Sequence, residues 1–154
     1  MQSIVKEVTV AAPQETAFNV FTRKMGLWWP KSHHVGSCPM TETILESGTN
    51  GRWYSKHEDG SEVNIGYVRT WDPFDQVVII WQINGDFKVD PDLISEIEVQ
   101  FIPEGPATTR VRLEHRDLDK LRGGTKVIDN MDHGWGFIMD LYKGLVNEQA
   151  AIPA

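Results

Sequence analysis

The chain has 154 residues, of which 40% are hydrophobic and 24% charged, and its formal net charge is −7. This composition is typical of a soluble globular protein, and about 150 residues suffice for one domain with a core of its own. An acidic chain without a run of Lys or Arg is a poor partner for nucleic acid or for an anionic membrane. The longest apolar run, Val77–Trp81, is far too short to span a bilayer.

The N-terminus and the single cysteine favour a cytoplasmic protein. Lys6 and Glu7 stand where a secretory signal would need apolar residues. Cys38 is the only cysteine, so no intrachain disulfide can form, which fits a reducing compartment. We therefore expect a cytoplasmic protein in which residues 1–154 form a single domain.

The N-terminal part of the chain predicts a strand followed by two short helices. Ile4–Val10 is rich in β-branched residues and predicts the strand. Pro13 suits the first position of a helix, because proline has no N–H to lose there. Met25–Trp29 predicts a second short helix that Pro30 ends, and residues 31–39 read as a loop.

From Met40 onward the pattern changes to short strands separated by turns such as Asp59-Gly60 and residues 103–106. The predicted strands are Thr41–Glu46, Arg52–His57, Val63–Trp71, Val77–Ile83, Leu93–Ile102 and Thr109–Arg116. The last two alternate clearly, with inward positions at Ile97, Val99, Phe101, Val111, Leu113 and His115. Consecutive strands joined by short turns form an antiparallel meander, and a sheet of this size twists and coils.

The last predicted element is a long amphipathic helix, from about Thr125 to Glu148. Its apolar stripe recurs at spacings of three and four, at Ile128, Met131, Trp135, Ile138, Tyr142 and Leu145, and is widened by Met139, Leu141 and Val146. A face this long must be buried against something. We therefore expect a curved sheet that closes over this helix.

Gly134 and Gly136 flank Trp135 in the middle of the helix, where each glycine costs about 1 kcal/mol relative to alanine. Either another backbone approaches closely at this point, or the missing side chains leave room for a ligand. We expect a cavity beside one of the two but not both, because residues two apart on a helix point about 200° apart.

The order of elements and a set of short motifs resemble a known family. The motifs are Phe18-x-x-Phe21-Thr22, Trp28-Trp29-Pro30, Gly51-Arg52-Trp53-Tyr54, Gly66-x-Val68-x-x-Trp71-Asp72-Pro73, Thr109-Arg110-Val111-x-Leu113-x-His115-Arg116 and Gly134-Trp135. They resemble the START and birch-pollen-allergen (SRPBCC) superfamily, in the branch similar to the C-terminal domain of the activator of the heat-shock-protein ATPase. The resemblance implies an α+β helix-grip fold, a curved antiparallel sheet wrapped around a long C-terminal helix. The superfamily includes lipid carriers, hormone receptors, polyketide cyclases and co-chaperone domains, so fold does not imply function here.

The candidate ligand-binding residues are of three kinds: inward-facing aromatic side chains, residues near the expected cavity mouth, and the glycine position of the long helix with its neighbours. They are Trp28, Trp29, His34, Arg52, Trp53, Trp81, Phe101, His115, Gly134, Trp135 and Ile138. Trp28 and Trp29 are expected near the mouth. The tryptophans either fill a bulky core or line an aromatic pocket for a hydrophobic or planar ligand.

Polar candidates have two interpretations each. His34 and His115 would give a polar spot in an apolar pocket, but a histidine on an apolar face is more often a hydrogen-bonded structural group. Arg52 either pairs with Glu62 or Asp72 or grips a ligand carboxylate at the cavity mouth.

Motifs for metal binding or nucleophilic catalysis are missing from the sequence. Without a metalloprotease helix motif or a Cys-rich spacing, we expect no metal and no cofactor. Cys38 with His34 lacks an orienting third group and an evident oxyanion hole, so no catalytic residue is assigned. His57 and His133 have no partner that the sequence identifies.

The sequence therefore predicts a domain that binds a small, largely apolar molecule between sheet and helix, without chemistry. One alternative is a cyclase- or hydrolase-type enzyme that uses His34, His115 or Arg52 on a bound ligand. Another is a co-chaperone-like domain that stimulates a heat-shock-protein ATPase. A homodimer and a chaperone partner are left open, whereas nucleic acid and membrane are not expected as partners.

Overall fold

The computed structural model describes residues 3–30, 38–83, 88–118 and 124–151, the last range without the side chains of 124–127 and 149–151. His34 lies outside these ranges. The elements are β1 (Ile4–Val10), α1 (Gln14–Thr22), α2 (Met25–Trp28), β2 (Met40–Leu45), β3 (Arg52–His57), β4 (Glu62–Asp72), β5 (Gln76–Trp81), β6 (Ser95–Gly105), β7 (Thr108–His115) and α3 (Gly124–Ala151). The predicted order of elements is confirmed.

The strands form one antiparallel sheet in the order β1-β7-β6-β5-β4-β3-β2. From β2 to β7 each strand pairs with the next one along the chain, and β1 joins at the far side of β7. The sheet curls into a half-barrel, and α3 packs against β1, α1 and α2. This is the predicted α+β helix-grip fold.

The inward rows of β6 and β7 line up across the two strands. Ile97 pairs with His115, Val99 with Leu113 and Phe101 with Val111, and all six side chains are buried. Side chains directly opposite each other in an antiparallel pair lie on the same face of the sheet. The core therefore lies between this concave face and the helices, as the alternation in the sequence predicts.

The apolar stripe of α3 faces this core. The buried members of the stripe are Trp135, Ile138, Met139, Tyr142 and Val146. Leu141 was expected to widen the stripe, but it is 37% exposed. It lies roughly 120° around the helix from Trp135, which places it beyond the buried face. No helix in the described part of the chain is long and apolar enough to cross a membrane.

Several predicted boundaries differ from the structure by one to three residues, and two of these differences have a clear structural form. Residues 103–106 were expected to form a turn, but β6 continues to Gly105, with an irregularity in its pairing with β7 between Pro103 and Gly105. A bulge of this kind accommodates proline, which has no N–H for the ladder. The strand expected at Val77–Ile83 ends at Trp81, and Ile83 instead forms an isolated bridge with Val89.

Candidate functional site

Four tryptophan rings meet in the interior between the sheet and α3. Trp29 follows α2, Trp53 comes from β3, Trp81 ends β5 and Trp135 lies on α3. Their ring centroids are 5.6 Å apart for Trp29–Trp53, 5.5 Å for Trp53–Trp81, 5.9 Å for Trp81–Trp135 and 5.9 Å for Trp29–Trp135. The four rings, all buried, form a closed circle of contacts that we call the tryptophan cluster.

Gly66 makes room for the two tryptophans of the sheet. It lies on β4 between them, paired with Trp53 on one side and with Trp81 on the other. A Cβ at this position would overlap the carbonyl of Ile80 and would come within 3.3 Å of Trp53 Cε3. Since glycine has no side chain on the concave face, the rings of Trp53 and Trp81 can meet above it.

A chain of hydrogen bonds ties Trp135 on α3 to the sheet. Trp135 Nε1–H donates to His115 Nδ1 at 3.1 Å. Because Nδ1 accepts, the hydrogen of the neutral ring lies on Nε2, which donates to Ser95 Oγ at 3.0 Å. Ser95 Oγ–H donates in turn to the carbonyl of Trp81 at 2.8 Å. His115 is thus a fully paired buried group, and burial lowers its pKa to about 3, so that it stays neutral near neutral pH.

Trp53 differs from its neighbours in its hydrogen bonding. Trp81 Nε1–H donates to the carbonyl of Ile83 at 2.8 Å, and Trp135 is bonded to His115. Trp53 Nε1–H has no acceptor among the described residues, although its side chain is only 1% exposed. A buried donor without an acceptor costs about 1–3 kcal/mol, so this indole is a candidate contact for a ligand oxygen.

Trp28 and Phe101 belong to a second aromatic group, packed between α1, α2, β6 and α3. Phe21 contacts Trp28, Phe101 and Tyr142 with centroids 5.0–5.8 Å apart. Trp28 Nε1–H donates to a carbonyl of α1, and so does the Tyr142 hydroxyl, whose pKa burial raises. Trp28 and Trp29 were expected at the cavity mouth, but both are buried in the interior. Trp28 joins the tryptophan cluster through Trp29, 5.9 Å away.

Arg52 lies on the face of β3 opposite to Trp53. Its guanidinium donates to Asn64 Oδ1 at 2.8 Å, pairs with Glu62 Oε1 at 3.1 Å and lies 4.0 Å from the centre of the Tyr54 ring. The side chain is 43% exposed. The structure therefore places Arg52 in an exterior ion pair, the first of the two interpretations that the sequence allowed, and not beside the tryptophan cluster.

Gly134 borders open space. A Cβ on Gly134 would meet no described atom within 4 Å, and one on Gly136 would meet only the Lys6 side chain at 3.9 and 4.0 Å. The close approach of another backbone, one explanation for this glycine pair, is not found among the described residues. Gly134 is half-buried next to Trp135, and Ile138, one turn further along, is buried on the same flank of the helix. The position next to Trp135 on α3 is therefore unfilled by described atoms.

A polar pair that sequence reasoning missed lies further along β3. Ser55 Oγ is 2.8 Å from His57 Nε2, and His57 Nδ1 is 2.8 Å from the carbonyl of Cys38. Ser55 and His57 are buried, on the same face of the strand as Trp53. The sequence signal that could have identified this pair is the alternation of side chains along a strand. Counting in steps of two from the inward-facing Trp53 puts Ser55 and His57 at inward positions. Among the described residues no group of three or more His, Cys, Asp or Glu side chains could hold a metal ion.

Comparison with known proteins agrees with this architecture. Residues 11–147 match the family model described as "Activator of Hsp90 ATPase homolog 1-like protein". The chain belongs to this family. A search of the curated proteins found no match.

Three solved structures are similar in fold to this chain. The self-sacrificing resistance protein CalC from Micromonospora echinospora is 32% identical with a TM-score of 0.71, over 98% of this chain and 97% of that one. The anthrahydroquino-gamma-pyrone synthase Txn09 is 32% identical with a TM-score of 0.68, over 95% of this chain and 97% of that one. PFC0360w, an Hsp90 activator from Plasmodium falciparum, is 19% identical with a TM-score of 0.60, over 88% of each chain, and shows the fold alone.

Family membership settles the architecture but not the activity. The two structures at 32% identity carry different roles in their names, a synthase and a resistance protein. Because one fold can host several functions, the function of this chain has to be argued from the residues of its site.

Proposed function

We propose that this member of the family binds a planar, largely apolar small molecule at the side of the tryptophan cluster, in the interior between the sheet and α3. The observation that carries the proposal is the buried Trp53 Nε1–H, which has no described acceptor and lies within a circle of indole rings. Small-molecule sites combine apolar and aromatic walls with a few precisely placed polar groups. The cluster supplies the walls, and Trp53 supplies one donor.

The space beside Gly134 supports a position for this ligand. Gly134 precedes Trp135 on α3, and nothing described lies within 4 Å of where its Cβ would be. A flat ring system entering there would reach the edge of the cluster at Trp135 and contact Ile138 on the same flank of the helix. Aromatic rings prefer offset-stacked or edge-to-face contacts, both of which a ring of four indoles can offer.

The donor and the family relatives together favour a ligand with a ring oxygen. An indole N–H is a donor only, so it selects a carbonyl, ether or hydroxyl oxygen on its partner. Txn09, 32% identical over nearly the whole chain, is named for making an anthrahydroquino-gamma-pyrone, which is a fused, oxygen-bearing ring system. These two observations support an oxygenated polycyclic aromatic compound. The Hsp90 activator shares only the fold at 19% identity and adds no support for a chaperone partner.

A matched pair of ligands tests this proposal. Anthraquinone-2-sulfonate and anthracene-2-sulfonate have the same ring outline and charge, but only the first carries ring carbonyls. Both are titrated into the protein while quenching of tryptophan fluorescence is followed. We expect both to bind, and the substitution Trp53→Phe to weaken anthraquinone binding about tenfold while anthracene binding changes less than about threefold.

Trp71→Phe is the matched control. Trp71 is half-buried on β4 and contacts Phe18, away from the tryptophan cluster. The same loss of indole there should leave both affinities unchanged. Absence of binding by either compound, or equal weakening of both by Trp53→Phe, would overturn the proposal.

A further inference from the structure

The interior face of the sheet carries two Ser–His pairs whose hydrogen bonds run in opposite directions. In the pair Ser95–His115, the Nδ1 of His115 is occupied by the N–H of Trp135, so Nε2–H donates to the serine. The hydroxyl hydrogen of Ser95 goes to the carbonyl of Trp81. His115 therefore cannot take a proton from Ser95, and this pair only holds α3 to the sheet.

The pair Ser55–His57 has the reverse polarity. The carbonyl oxygen of Cys38 can only accept, so His57 Nδ1, 2.8 Å away, carries the hydrogen. In the neutral ring Nε2 then carries the acceptor lone pair, and it accepts the Ser55 hydroxyl hydrogen across 2.8 Å. Hydroxyl, imidazole and orienting carbonyl thus stand in the order that activates a serine nucleophile.

The position of the pair links it to the proposed ligand. Trp53, Ser55 and His57 alternate along β3 and are all buried on its inner face. Trp53 and Ser55 are two residues apart, about 7 Å between Cα atoms in a strand. A ligand oxygen bonded to Trp53 Nε1–H would thus lie on the same face of the sheet as Ser55 Oγ.

We propose that Ser55 is a nucleophile and His57 its general base, and that the protein hydrolyses an ester of a planar aromatic compound. This proposal rests on the proposed function in one respect: the ligand has to lie in the interior between the sheet and α3. It adds a reaction that binding alone does not need, and it assigns the donor of Trp53 a second role, as a hydrogen bond to the oxyanion that develops on the ester carbonyl.

The reaction needs only the ester and water. Ser55 Oγ attacks the acyl carbon, and the hydroxyl proton moves to His57 Nε2 as the Oγ–C bond forms. The ester C–O bond breaks, and the leaving oxygen takes the proton from His57. Water then attacks the acyl group, giving a proton to His57, and the acyl–Oγ bond breaks as Ser55 regains that proton. The products are an alcohol or phenol and a carboxylic acid.

The decisive experiment treats the whole protein with a fluorophosphonate and maps the modified peptide by mass spectrometry. We expect an adduct on Ser55, formed as the P–F bond breaks, and none on the equally buried Ser95. Hydrolysis of 1-naphthyl acetate, followed by release of 1-naphthol, is measured in parallel. Ser55→Ala should abolish both signals, and His57→Gln should slow both by about 100-fold or more.

His133→Gln is the matched control, because His133 is exposed on α3 and should leave both rates unchanged. An adduct elsewhere, no adduct, or hydrolysis by Ser55→Ala at the wild-type rate would overturn the proposal. Peptide mapping on the unaltered protein decides this even where a variant fails to fold. Anthraquinone-2-sulfonate binding separates the two proposals, since binding without hydrolysis removes only the reaction, whereas loss of binding in the unaltered protein removes the ligand site.

Discussion

Trp135 and His115 join the long helix to the sheet through a 3.1 Å hydrogen bond between two fully buried rings. The indole donates and the imidazole accepts, so the contact carries no net charge into the core. Because His115 also donates to Ser95, both of its nitrogens are occupied. Trp135, His115 and Ser95 therefore depend on one another for these buried hydrogen bonds, which water cannot replace.

Replacing His115 should cost stability. His115→Phe leaves the N–H of Trp135 without its acceptor and removes the donor to Ser95, so we expect the free energy of unfolding to fall by about 1–3 kcal/mol. Urea unfolding measures the change. His133→Phe, at an exposed position on α3, should shift it by less than about 0.5 kcal/mol. An unchanged stability together with weaker ligand binding would instead make His115 a ligand contact.

Stability should also fall in mild acid because of His115. Its pKa is about 3 in the folded protein and 6.5 in its ordinary state, so only the unfolded chain takes up this proton between those values. The free energy of unfolding should therefore decrease as pH falls below 6.5, by about 1.4 kcal/mol per pH unit from this residue, and level off near pH 3.

The comparison with His115→Gln isolates this contribution. Asp59 and Glu114, whose pKa values are lowered in the folded protein, also cost stability in acid, but they do so in both proteins. The difference in free energy of unfolding between the parent protein and His115→Gln should shrink as the pH is lowered from 6.5 towards 3. A difference that stays constant with pH would contradict the role of a neutral, buried His115.

Gly66→Ala should be among the most damaging substitutions in the sheet. The new methyl group would overlap the carbonyl of Ile80, which belongs to the backbone of β5 and cannot rotate away, and would press on Trp53. Overpacking of this kind costs about 3 kcal/mol or more when backbone must move. Thermal unfolding measures the loss, and a variant as stable as the parent would show that the sheet adjusts here.

Gly134 should behave in the opposite way. Gly134→Ala places a methyl group in open space and improves helix propensity, so the free energy of unfolding should rise by up to about 1 kcal/mol. Gly134→Leu should fill the space and reduce anthraquinone-2-sulfonate binding at least about tenfold. Gly136→Leu is its counterpart on the other flank, facing Lys6, and should leave binding unchanged. Unaltered binding in Gly134→Leu would place the ligand elsewhere in the interior.

Arg52 should be dispensable for the ligand. It lies on the outer face of β3 in an exposed pair with Glu62, so Arg52→Ala should cost less than about 1 kcal/mol of stability. The same fluorescence titration should return the parent affinity. A loss of affinity for the sulfonate group would restore the interpretation of Arg52 as an anion grip.

Much of the fold could be predicted because the buried residues of a strand or a helix recur at a regular spacing in the sequence. The alternation of Ile97, Val99 and Phe101 and the three-and-four spacing of Trp135, Ile138 and Tyr142 each record which side of an element faces the core. Errors arose at the ends of elements. The strand that runs on to Gly105 is an example, since a bulge let β6 pass a proline that normally ends a strand.

Sequence alone therefore determined the elements, their inward faces and the family to which the chain belongs, because each is encoded in neighbouring residues. Tertiary structure alone decided which inward residues meet. Trp53 and Trp81 come together only through their shared pairing with Gly66, and the hydrogen-bond direction of His57 follows from a carbonyl at Cys38. Contacts between distant residues depend on strand register and helix placement, which no local period records.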